Sequence, residues 1–62
     1  MEGERNTVVQ AFALARSGRF SSVEEIEREL RKEGFHSVQQ HLSGPTLRQQ
    51  LRELIAESRA MA

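Results

Sequence analysis

The dipeptide Gly34-Phe35 limits what this chain can fold into more than any other pair of residues in it. Val23, Ile26 and Leu30 recur upstream at helical spacing, and Gly34 stands just past them. A helix ending on a left-handed glycine turns the next residue back onto its final turn, so Phe35 is expected to pack on the turn carrying Leu30. Stops of the same kind are expected at Gly18 and Gly44. No run alternates apolar and polar residues, so nothing argues for a strand. The expected fold is all-α: a compact bundle of three to four short helices, helix-turn-helix-like in its middle section. It forms one domain over residues 1–62, with 1–5 and 59–62 frayed.

At 62 residues the chain is near the lower limit at which one core folds without staples. It has no cysteine, so neither a disulfide nor a thiolate metal site can add stability. That absence fits a reducing compartment. The first five residues are acidic rather than basic, and the apolar run from Val8 to Ala15 is short for a bilayer. These features lead to the expectation of a soluble cytoplasmic protein with no membrane contact. Nine basic and nine acidic residues cancel, leaving no global field to draw the chain onto nucleic acid or anionic lipid.

The first helix is expected from Asn6 or Thr7 to about Ser17, with Thr7 and Gln10 at capping-box spacing. Its apolar residues Val8, Val9, Phe12, Ala13, Leu14 and Ala15 wrap most of the way round. A helix apolar on most faces is normally buried on most faces, which in so short a chain calls for a second copy. The alternative keeps Val8, Phe12 and Ala15 as the inner face and leaves the alanines harmlessly at the surface. Phe20 leads into Ser21-Ser22, either of which can cap a second helix, with Glu24 and Glu25 at the matching positions. That helix runs to about Glu33. It presents Val23, Ile26 and Leu30 inward and offers Glu24–Arg28 and Glu27–Arg31 as pairs four apart. Ser37 can cap a short third helix with Val38 and Leu42. Pro45 opens a fourth that runs to about Ser58, carrying Leu47, Leu51, Leu54 and Ile55. The expected core is Val8, Phe12, Phe20, Val23, Ile26, Leu30, Phe35, Val38, Leu42, Leu47, Leu51, Leu54 and Ile55.

Chemistry-bearing patterns are sparse. His36 and His41 lie five apart, about 140° round an ideal helix, and cannot grip one metal from the same face. No Cys or Asp completes a site, so neither metal nor cofactor is expected. No spacing of Ser, His and Glu resembles a nucleophile elbow, a phosphate loop or a zinc-protease helix. A chain of this size also has little material for a water-excluding pocket, and no catalytic residue is expected.

The segment from Gly34 to Arg52 holds four Gln, two His and two Arg but no acid. It resembles the second half of a helix-turn-helix. Such a likeness makes Gln39 and Gln40 base readers and Arg48 and Arg52 phosphate contacts. Its register departs at two packing positions, where the family has a small and an apolar residue and this chain has Leu30 and Gln40. Five Glu in the second helix also oppose phosphate. Arg48, Arg52 and Arg59 fall within about 40° on the fourth helix, so they are expected to pair with the Glu-rich second helix of the same chain or of a second copy, the alternative being a phosphate or an acidic partner protein.

The stretch Ala15-Arg16-Ser17-Gly18-Arg19-Phe20, followed by Ile26 and Leu30 four apart, resembles short uncharacterised proteobacterial proteins of similar length. The likeness covers a third to half of the chain. It implies a bacterial source and a helical domain, and brings no activity or ligand with it. The expected function is that of a non-catalytic interaction module that contacts protein, including itself as a homodimer, through Val9, Ala13, Leu14 and Arg16. The alternative is a nucleic-acid-binding regulator using Gln39, Gln40, Arg48 and Arg52.

Overall fold

Local chemistry sets each helix end in the computed structural model, which describes residues 6–60. The ends expected to fray at 1–5 and at 61–62 lie outside that range, whereas Arg59 and Ala60 are helical. Four helices follow one another: α1 (Thr7–Arg16), α2 (Val23–Lys32), α3 (Val38–His41) and α4 (Pro45–Ala60). No strand occurs among the described residues. The all-α bundle expected from the pattern is the architecture observed.

Asn6 caps α1, its Oδ1 accepting the Val8 and Val9 N–H groups at 2.9 and 3.1 Å. The expected Thr7–Gln10 box is therefore not used. Thr7 is buried in the first turn, and Gln10 Nε2 instead reaches across to donate to Glu33 Oε1 on the residue that caps the far end of α2. At the other end Gly18 takes φ +80°, the left-handed stop. Ser17 finishes the turn, its hydroxyl donating to the Leu14 carbonyl and accepting from the Arg19 N–H.

Ser22 caps α2 through the Glu25 N–H, and the Glu25 carboxylate reaches back to the Ser21 N–H at 2.7 Å. The reciprocal arrangement is a capping box displaced by one residue on its return arm. Gly34 closes the helix at φ +96°. Its N–H bonds the Arg31 carbonyl, and the Phe35 N–H bonds the Leu30 carbonyl at 3.0 Å, the paired bonds of a Schellman ending. Phe35 packs, half-buried, on the cluster that contains Leu30. The dipeptide does what its position demands.

Two expectations fail in the next segment. Ser37 precedes α3 with φ 55° and makes no side-chain cap bond; a capping residue takes extended backbone angles, which this one does not have. Gly44 is not a left-handed stop either. It stands just before Pro45, and its carbonyl accepts the Arg48 N–H in the first turn of α4. α4 continues two residues past the expected Ser58, whose hydroxyl donates to Ile55 within the helix and to the Ala15 carbonyl of α1.

That last bond sets the C-terminal ends of α1 and α4 side by side. α2 runs back against α1, since Gln10 near the start of α1 meets Glu33 just past the end of α2. α3 packs on α1 and α2 and not on α4. The core holds Ala11, Leu14, Ala15, Val23, Ile26, Leu30, Val38, Leu42, Leu51 and Ile55, with Val8, Phe12, Phe20, Phe35, Leu47 and Leu54 half-buried against it. All thirteen expected core residues belong to this assembly. α1, however, is rotated from the expected inner face: Thr7, Ala11, Leu14 and Ala15 point inward, while Val8 and Phe12 flank them. Small residues at positions 11 and 15 let the α1 backbone approach its neighbours closely, and a Phe at the centre of that contact would hold the helices apart.

Candidate functional site

Three of the four residues proposed for a contact surface lie on the outside of α1. Val9, Ala13 and Arg16 recur four and three apart, so they form one stripe, and all three are exposed. Val9 is 65 % exposed, the large hydrophobic residue most clearly left to water among those described. Leu14 does not join them. It is 6 % exposed and belongs to the core, because its position falls on the Thr7–Ala11–Ala15 side of the helix. Half-buried Phe12 borders the stripe, and beyond it Arg16 shares a hollow of about 270 Å³ with Leu54, Glu57 and Ser58 of α4.

The residues weighed for nucleic acid do not converge. Gln39 and Gln40 are exposed on α3, a helix of only four residues, beside Arg31, Phe35 and His36. Arg48 and Arg52 line a different hollow, between α2 and α4. Arg48 is moreover engaged within the fold. Its Nη1 lies 3.0 Å from Glu27 Oε2 and donates to the Leu42 carbonyl, and its Nη2 lies 3.2 Å from Glu24 Oε2. Glu27 is 6 % exposed, and a carboxylate that deep is tolerated only when it is paired. Arg48 thus ties α2, the chain ahead of α4 and α4 itself together. The expected pairing of Glu24 with Arg28 and of Glu27 with Arg31 gives way to this arrangement, since the two carboxylates face α4 rather than the outer side of α2.

The hollow between α2 and α4 is an open groove of about 340 Å³. Buried Val23 and Ile55, with exposed Ala56, form its apolar lining, and Arg48, Arg52 and Arg59 supply its cations. Glu25 lies outside this lining but bonds Ser21, which belongs to it. The Ser21 backbone N–H, then the Ser21 hydroxyl, hold its carboxyl below the ordinary value of 4.5, with smaller pulls from Arg28 and Arg59. The fourth-helix arginine row was legible from spacing alone. Arg48 finds the second-helix carboxylates expected for the row; that Arg52 and Arg59 instead face a groove was not legible.

Both histidines are exposed, and His36 lies outside α3 while His41 ends it. No group of three or more His, Asp or Glu able to hold a metal occurs among the described residues. No helix among them is long and apolar enough to cross a membrane. The chain matches no known protein family, no curated protein and no solved structure.

Proposed function

We propose that this protein is a non-catalytic helical module of the bacterial cytoplasm that works by contacting protein, including a second copy of itself, through the outer face of α1. The observation that carries the reading is Val9, 65 % exposed on a stripe it shares with Ala13 and Arg16. Half-buried Phe12 widens the apolar strip, and Arg16 and Glu57 border one hollow with opposite charges. A two-fold contact needs one patch that complements itself. Apolar residues at the centre with both signs of charge at the margin meet that need.

The strip is small, so the association is weak, with a dissociation constant of roughly 10–100 µM. Sedimentation equilibrium near ~100 µM, a concentration at the top of that window, is expected to give a mass well above the 7.1 kDa of the monomer. The Val9→Glu variant is expected to sediment as the monomer while keeping the parent's helical circular dichroism. A wild-type chain that sediments as a clean monomer at that concentration overturns the self-association.

A further inference from the structure

We infer that the groove between α2 and α4 docks an acidic amphipathic segment of a partner protein, with carboxylates on Arg52 and Arg59 and an apolar side chain between them. Three arginines line this groove, and their situations differ. Arg48 is satisfied by Glu24, Glu27 and the Leu42 carbonyl. Arg52 and Arg59 are exposed, and neither side chain forms an ion pair or hydrogen bond with a described residue; Arg59 acts on Glu25 only through space. Two cations seven residues apart on one helix are separated by about 10 Å. Between them the wall is apolar, formed by Ile55 and Ala56, with Val23 opposite. Cation, apolar floor, cation is the complement of carboxylate, apolar side chain, carboxylate.

The occupant's class follows from the lining. A nucleic-acid strand offers a continuous phosphate row where this groove sets two free cations apart across an apolar floor, and it wants aromatic faces for its bases, of which the groove has none. A partner helix with Glu at positions i and i+7 and leucine at i+3 and i+4 matches both the cation spacing and the floor. α1 contributes no residue to this lining, so the groove stays open when the outer face of α1 is covered.

The probe is a fluorescein-labelled helical peptide with that Glu and Leu spacing, titrated with the full chain at low salt and followed by anisotropy. Binding is expected, weakening as salt rises. The double reversal R52E/R59E is expected to weaken it by about tenfold, since it turns two exposed attractions into repulsions. Replacing the peptide's Glu by Gln is expected to cost a similar factor. The Val9→Glu variant, which lies outside the groove, is expected to bind as the parent does. Circular dichroism of R52E/R59E is expected to match the parent, because both side chains are exposed. Failure of the peptide to bind, equal binding by R52E/R59E, or preferential binding of a labelled mixed-sequence DNA duplex each overturns the inference.

Discussion

Ser37 is a non-glycine residue held at φ 55°, ψ 36°, and it gains no capping bond from being there. The left-handed region costs an L-residue about 1–2 kcal/mol because Cβ crowds the carbonyl that follows. The cost is accepted because the Ser37 carbonyl must meet the His41 N–H while Val38 enters the core. The Ser37→Gly change is therefore expected to stabilise the fold by ~0.5–1 kcal/mol, the released strain less the extra freedom glycine gives the unfolded chain. A β-branched replacement, Ser37→Val, is expected to destabilise it by ~1–2 kcal/mol. In a domain of this size, each kcal/mol moves the melting temperature by roughly 4–8 °C, which thermal denaturation resolves. The composition of the segment offered only Ser37 as a cap. Its backbone angle follows from how α2 and α3 must meet, which no local pattern records.

At the scale of one helix, α2 was the most readable. Its apolar spacing, its serine start and its Gly34-Phe35 end are all local chemistry, and all appear as the spacing implies. Its charge pairs were not readable in the same way. Glu24 and Glu27 were expected to serve their own helix, but they lie on the side that meets α4, where Arg48 outcompetes a solvated partner. The start of α2 also gives the protein an acid-sensitive element. Glu25 titrates below its ordinary value because the charged form accepts the Ser21 N–H. The unfolded chain therefore takes up this proton first as pH falls. Stability from this bond is fully present above 4.5 and is lost as pH drops through the lower folded value. Urea midpoints measured across the carboxylate range should separate the parent from Glu25→Gln at neutral pH, and the gap should close in acid. A gap that persists unchanged at low pH contradicts the role given to this carboxylate.

For the whole molecule, stability rests on few side chains. Ile26, Leu30, Leu42 and Leu51 are the largest that are completely enclosed. Truncating one of them costs ~2–5 kcal/mol in lost burial and residual cavity. A core this small supports a total of about 3–5 kcal/mol. Leu30→Ala is thus expected to be largely unfolded at room temperature, seen as lost helical circular dichroism and no cooperative melt. A cooperative transition near the parent's would show that Leu30 is not central to the core. The radius of gyration of 11.2 Å agrees with the roughly 11 Å expected for a compact chain of this length, so these few contacts do hold all four helices together.

The spacing of apolar residues, the starts at Asn6 and Ser22 and the glycine stops at 18 and 34 were enough to determine an all-helical chain and most of its core. Each is a short-range matter: a cap, a turn or a stripe is complete within a few residues of itself. The tertiary structure alone decided which face of α1 turns inward, burying Leu14 and leaving Val9 outside. It alone decided that Arg48 is structural while Arg52 and Arg59 face an open groove. Those outcomes depend on how closely two backbones approach and which charge lies across the gap, and both are set by residues distant in the chain. A helix apolar nearly all round has several faces it can bury, and only its neighbours choose among them.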